Sequence, residues 1–181
     1  MPERLIRIGH SPDPDDAFMF YGLSSGKVKL DGVRIEHVLE DIQSLNQLAL
    51  NGELEVTAIS AHAFPYVAER YWIMETGASM GEGYGPVLVS RKYQSVEELK
   101  GRTIAHPGKL TTANLLLNMY LDDFEAVELA FDEIIDAILR EEVDAGVLIH
   151  EGQITYERSG LKKVLDFGKL WAEESNGLPL P

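Results

Sequence analysis

The chain has 181 residues, 45% of them hydrophobic and 25% charged, with a formal net charge of −14 at pH 7. That is an ordinary globular composition, with no apolar run near the ~18 residues of a membrane span and no cysteine for disulfides or thiolate metal sites. The acidic balance favours solubility and disfavours nucleic acid or an anionic membrane as partner. It leaves room for a small anionic ligand, because local donors can outweigh the global field.

Short apolar runs alternate with helical patterns along the chain. Leu5 to His10 reads as a strand rather than as the core of a signal peptide, so the reading is against cleaved secretion. Pro14 to Leu23 reads as a helix, with Asp13 as N-cap and Pro14 at the first helical position. Val33 to Val38 is a strand, and Ile42 to Leu50 a helix with Gly52 just past its end. Val56 to Ser60 is a short buried strand. Tyr71 to Met74 and Pro86 to Ser90 read as strands around a flexible glycine-rich connection, Gly77 to Gly85.

A second series follows. Ser95 to Glu98 opens a short capped helix. Thr103 to His106 is a strand and Thr111 to Tyr120 a helix with apolar Leu115, Leu116 and Met119. Ala126 to Ala130, Ala145 to Ile149 and Lys163 to Asp166 are strands; Asp132 to Glu141 and Phe167 to Glu174 are helices. The alternation predicts an α/β protein with parallel sheets and helices on both faces. The polar stretch after Ser90 divides it into a first lobe over 1–91 and a second over 92–175, with 176–181 starting a crossover back to the first. Ligands of open α/β sheets bind beyond the carboxyl ends of the strands, and in a two-lobed protein that means between the lobes.

Four strand-end segments are therefore candidates. Ser11-Pro12-Asp13-Pro14-Asp15-Asp16 is a turn stiffened by two prolines. Its acids either cap the following helix or hold a polar ligand with neighbouring N–H groups. Ser60, at the end of Ala58-Ile59-Ser60, either caps the next helix or offers its hydroxyl to a ligand. His106-Pro107-Gly108-Lys109-Leu110-Thr111-Thr112 is not a P-loop, because Thr103 stands where the first glycine belongs and Leu110 follows the lysine. Glycine, lysine and two threonines at a helix start still suit a carboxylate. His150-Glu151 lacks the second histidine of a zinc-protease helix, since position 154 is Ile154. A histidine at a strand's carboxyl end can act as a general base, although a lone histidine is more often structural. The run Gly81-Glu82-Gly83 leads into a strand rather than a helix, which argues against dinucleotide binding.

Taken in order, Ser11 to Phe18, Leu39 to Asn46, Pro107 to Ala113, Gly146 to Glu151 and the closing Gly177-Leu178-Pro179-Leu180-Pro181 resemble the 1,4-dihydroxy-6-naphthoate synthases of the futalosine route to menaquinone. The resemblance covers nearly the whole chain. It implies a two-lobed, periplasmic-binding-protein-like (type II) fold and a cytoplasmic lyase. That lyase splits cyclic dehypoxanthine futalosine into 1,4-dihydroxy-6-naphthoate and dihydroxyacetone, without metal or organic cofactor. The resemblance makes His150 the general base. It places substrate binding at Ala58, Ile59, Ser60, Thr111 and Thr112; Ser11 and Asp16 of the rigid turn are further binding candidates. It also sets the expectation that His150 faces Ser60.

Two departures stand out. The family's first turn reads Ser-Pro-Cys-Pro-Asn-Asp, and Asp13 and Asp15 replace its cysteine and asparagine. Family members also continue past the Leu-Pro-Leu-Pro segment. The expectation is thus a first lobe lacking its returning segment, with self-association or a complementary C-terminal fragment as partner. The alternatives are a non-catalytic solute-binding protein of the same fold and the related chorismate dehydratase.

Overall fold

The computed structural model describes residues 3–150 and 152–181, which form two compact units, one up to Ser79 and one from Met80 to Pro181. The first unit is built on a parallel three-stranded sheet of order β2-β1-β3. Its strands are β1 (Arg4–His10), β2 (Val33–Leu39) and β3 (Val56–Thr57). β1 pairs in register with β2 from Arg4–Val33 to His10–Leu39, and with β3 at Ile8–Val56 and Gly9–Thr57. Three helices accompany it: α1 (Pro14–Ser24), α2 (Ile42–Asn51) and α3 (Phe64–Val67).

Local chemistry shapes these segments. Asp41 caps α2 by accepting the N–H groups of Gln43 and Ser44 at 2.9 and 3.1 Å, and Gly52 ends it in the left-handed conformation at φ 71°. The buried face of α2 carries Leu45, Asn46 and Ala49. Gly9 of β1 admits it: a methyl group there would overlap the side chains of Leu45, Leu54 and Thr57.

The second unit is a five-stranded sheet of order β6-β5-β7-β4-β8. The strands are β4 (Val87–Ser90), β5 (Thr103–His106), β6 (Glu125–Glu128), β7 (Ala145–Leu148) and β8 (Lys162–Asp166). β6, β5 and β7 are parallel, but β4 runs antiparallel to both β7 and β8. The helices are α4 (Thr112–Tyr120), α5 (Ile134–Leu139), α6 (Gly152–Thr155) and α7 (Phe167–Glu174), with 3-10 turns at Glu97–Leu99 and Tyr156–Ser159.

Strand alternation sorts this unit's apolar side chains into two cores. Leu88, Ile104, Ala145 and Val147 join Leu116 and Leu117 of α4 and Phe167 of α7. Val87, Val89, Ala105 and Leu148 join Ile134, Ala137 and Ile138 of α5. Helices thus cover both faces, and β4, buried at every residue, is a fully internal strand.

The structure departs from the sequence reading in four places. The sequence reading puts Pro86 to Ser90 in a first lobe ending at residue 91; instead β4 lies inside the second sheet, and the division falls after Ser79. The polar stretch after Ser90 is a surface connection, not a boundary, because β4 hydrogen-bonds on both edges. The second sheet is mixed rather than parallel, for the same reason. Tyr71 to Met74 pairs with no strand among the described residues, and its Trp72 is 95% exposed. The closing segment, read as the start of a crossover, packs within the second unit. Leu180 is buried there and exchanges two backbone hydrogen bonds with Gly81, at 2.8 and 2.9 Å.

That exchange changes the meaning of the glycine run. Gly85 is buried against Gly168 at the start of α7, and a methyl group on Gly168 would strike the backbone of Tyr84 and Gly85. The run ends as a close backbone crossing rather than a loose link. Gly168→Ala is therefore expected to destabilise the protein by roughly 1–3 kcal/mol, since backbone yields less than side chain. Urea denaturation checks it: a midpoint equal to the wild type would contradict the crossing.

Candidate functional site

In the first unit, the carboxyl ends of β1 and β3 lie side by side, because these strands are parallel and paired. They bring Ser11 and Asp16 to the same sheet edge as Ala58, Ile59 and Ser60. The Ser11 N–H donates to Asp16 Oδ2 at 2.6 Å, closing the turn, while the Ser11 hydroxyl donates to Asp13. Asp13 occupies the N-cap position of α1 but makes no side-chain cap bond. Asp16 is buried, and burial pushes its carboxyl above the usual carboxylate range against the opposing effect of the Ser11 N–H.

Ser60 is 8% exposed and is held by Asn46 of α2, which is wholly buried. Asn46 donates its amide to Ser60 Oγ at 3.0 Å and accepts the Ser60 N–H at 2.9 Å. This two-point clamp replaces the capping role: the Ser60 carbonyl accepts from Ala63 and Phe64, but its side chain does not cap α3, whose N-cap is Ala63. Ala58 donates to the Gly9 carbonyl at 2.8 Å, which extends the β1–β3 pairing. Ala58 and Ile59 are half-buried.

Beside this edge lies a histidine pair whose role the sequence does not indicate. His10 Nε2 meets His37 Nδ1 at 2.9 Å, His10 Nδ1 meets the Ser11 carbonyl at 3.0 Å, and Phe20 stacks on His10 at 4.3 Å. Because a carbonyl can only accept, His10 carries its proton on Nδ1. Burial and the neighbouring His10 both push the His37 imidazole below its ordinary value.

In the second unit, β5 and β7 are parallel neighbours, so the segments after His106 and after Leu148 share one edge. Thr111 is the N-cap of α4: its hydroxyl accepts from the Asn114 N–H at 3.2 Å and donates to the Gly108 carbonyl at 2.7 Å. It is therefore engaged in building the helix start. Thr112, at the first helical position, is half-buried, and among the described residues its hydroxyl has no hydrogen-bond partner. Lys109 is exposed, with its N–H donating to Glu128 at 3.2 Å. His106 is 3% exposed; its Nδ1 accepts the Gly108 N–H at 3.2 Å, and burial keeps the ring below its ordinary value, favouring the neutral form.

His150 lies two residues beyond β7, half-buried, with φ at 52°. That left-handed conformation is uncommon for a side chain with a Cβ and marks a constrained position. Its imidazole meets the ring of Phe131, from the segment after β6, edge-on at 5.1 Å. Nothing in the sequence around Phe131 signals this contact. Glu151, the next residue of the motif, lies outside the described residues. His150 and the Thr111–Thr112 helix start thus belong to one sheet edge, as expected of strand-end segments. Among the described residues, no group of three or more His, Asp or Glu side chains could hold a metal ion, and no helix is long and apolar enough to cross a membrane.

Comparison with known proteins agrees with this architecture. A menaquinone biosynthesis family matches residues 6–181. The 1,4-dihydroxy-6-naphthoate synthase of Thermus thermophilus is 43% identical over 176 residues, and that of Streptomyces coelicolor 36% over 182. Each alignment covers 97% of this chain but 63% of the relative, so the chain spans less than two thirds of their length. A crystal structure of an Archaeoglobus fulgidus protein is 56% identical and superposes with a TM-score of 0.90, over 98% of this chain and 65% of that one. The alkanesulfonate-binding protein of Xanthomonas axonopodis pv. citri, 14% identical, superposes at 0.73 over 94% of this chain and 63% of its own. It shares the α/β fold of periplasmic binding proteins. On sequence and structure together, the chain belongs to the menaquinone biosynthesis family.

Proposed function

We propose that this protein serves as a 1,4-dihydroxy-6-naphthoate synthase, a carbon–carbon lyase acting in the cytoplasm on cyclic dehypoxanthine futalosine. The observation that carries this reading is His150 at the carboxyl end of β7, fixed in a left-handed backbone conformation on the same edge as the Thr111–Thr112 helix start. A strand-end imidazole is suited to remove a substrate proton near neutrality. Electron flow from the broken C–H bond then cleaves the carbon framework toward an aromatic naphthoate and dihydroxyacetone. Fold alone would equally accommodate a solute-binding protein, and the two named relatives favour the synthase over that alternative and over chorismate dehydratase.

The binding roles proposed here belong to the same reading. Thr112 offers its hydroxyl, with the N–H groups of the α4 start, to the substrate's carboxylate. Thr111 shapes that start as its cap. In the first unit, Ser60 is presented by Asn46, and Ala58, Ile59, Ser11 and Asp16 supply the rest of the strand edge. Because the relatives are longer, turnover is to be measured on this chain alone and with the remaining segment of the Thermus thermophilus relative added in trans.

His150→Ala is expected to lower kcat by at least about a hundredfold while KM changes little, because a general base acts on the transition state. Product analysis with cyclic dehypoxanthine futalosine decides; equal loss of binding and turnover would assign His150 to binding instead. Thr112→Val should weaken naphthoate binding by about 1–2 kcal/mol without unfolding the protein, and unchanged affinity by titration would remove Thr112 from the site. Asn46→Ala leaves the Ser60 N–H and hydroxyl without their clamp and is expected to cost about 2–3 kcal/mol of stability. Chemical denaturation measures it, and a cost below about 0.5 kcal/mol would show that Ser60 does not depend on Asn46.

A further inference from the structure

The His150 backbone is held by a residue to which the lyase reading gives no role. Gln153 sits in α6, half-buried. Its backbone N–H donates to the His150 carbonyl at 3.2 Å. Its side-chain amide has one orientation that satisfies both ends: the oxygen accepts the His150 N–H at 3.2 Å, and the nitrogen donates to the Gly85 carbonyl at 2.6 Å and to the Tyr84 hydroxyl at 3.2 Å. One residue therefore engages both polar backbone groups of His150 and ties them to the entry of β4.

The bridge has a mechanical consequence. A left-handed backbone at a residue bearing a Cβ is unfavourable and persists only where its surroundings impose it. His150 follows closely on β7, whose Leu148 lies opposite Val87 of β4. Gly85, two residues before Val87, is in turn locked against Gly168. Gln153 links the His150 turn to this rigid crossing. Phe131 restrains the imidazole ring, whereas Gln153 restrains the backbone from which the ring projects.

We infer that Gln153 is a positioning residue for His150, its amide clamping the His150 backbone to Gly85 and so aiming the imidazole. This rests on the reading of His150 as the base, but the clamp itself can be measured without turnover. A displacement of the base of only about 1 Å lowers rate far more than affinity, so the clamp acts on kcat.

The test compares Gln153→Met, which fills similar space without donors or acceptors at the amide, with Gln153→Glu. The glutamate retains an oxygen to accept the His150 N–H and can take a hydrogen bond from the Tyr84 hydroxyl, but it sets a second carboxylate oxygen against the Gly85 carbonyl and so breaks the tie to Gly85. The first measurement is the protection factor of the His150 amide by NMR hydrogen exchange, with the Val147 amide as reference for the intact sheet. Gln153→Met should lower His150 protection at least about tenfold and leave Val147 unchanged, and Gln153→Glu should restore most of it. The second is steady-state kinetics: kcat should fall roughly ten- to a hundredfold in both variants with KM within about twofold, because neither keeps the tie to Gly85. Unchanged His150 protection in Gln153→Met overturns the clamp. So does a glutamate variant with wild-type kcat, which would mean that the tie to Gly85 does not aim the base. If Gln153→Met does not fold, Gln153→Glu decides alone: a kcat at least about tenfold below the wild type supports the clamp, and wild-type kcat overturns it. Failure of the base reading looks different: His150→Ala would then keep its turnover, while the exchange result for Gln153 would stand.

Discussion

The antiparallel seating of β4 between β7 and β8 governs the second unit. A parallel strand would bring its amino end to the edge opposite the carboxyl ends of β5 and β7. Because β4 runs the other way, its start at Val87 lies opposite Leu148 and Asp166. The backbone of Tyr84 and Gly85 thereby arrives at the edge that carries His150 and the α4 start. The arrangement requires two residues without side chains, Gly85 and Gly168, where the entering chain crosses the beginning of α7. Asp166 reinforces that corner: it caps α7 through the Lys169 N–H at 3.2 Å and pairs with Lys163 at 2.8 Å. Half-exposed pairs of this kind contribute little stability by themselves. Their value here is in fixing where α7 begins.

The first unit solves a different problem, that of concentrating acid in a tight turn. Asp13, Asp15 and Asp16 crowd the start of α1. Two of them are turned to local use: Asp13 takes the Ser11 hydroxyl and Asp16 the Ser11 N–H. Asp15 accepts from the Ser79 hydroxyl at 3.0 Å. The acids that depart from the family's cysteine and asparagine are thus bonded within the unit. Burial pushes the Asp16 carboxyl above its ordinary value, while the Ser11 N–H opposes that shift.

Much of this is legible in the sequence, for identifiable reasons. The run Ile42 to Leu50, with Gly52 just past its end, places α2 to within one residue, because periodicity and a terminating glycine are local properties. Phe167 to Glu174 is readable with its observed bounds. The strand-end segments stand out because an apolar run that gives way to Ser, Thr or His marks the point where the backbone leaves a buried sheet and meets polar surroundings. Tyr71 to Met74 shows the limit. Its aromatic and β-branched residues suit a strand, yet strand formation needs a paired neighbour, and among the described residues this segment pairs with none.

The sequence by itself determined the alternation of elements, the α/β class, the family and the segments from which a site could be built, since all of these follow from short-range pattern and motif order. Only the tertiary structure decided that β4 belongs to the second sheet, that Asn46 rather than a helix cap holds Ser60, and that Phe131, Gly85 and Gln153 converge on His150. These are pairings between residues far apart in the chain, or orientations of a single amide. No local pattern encodes them, because each depends on which surfaces meet when the two faces of the sheet are buried.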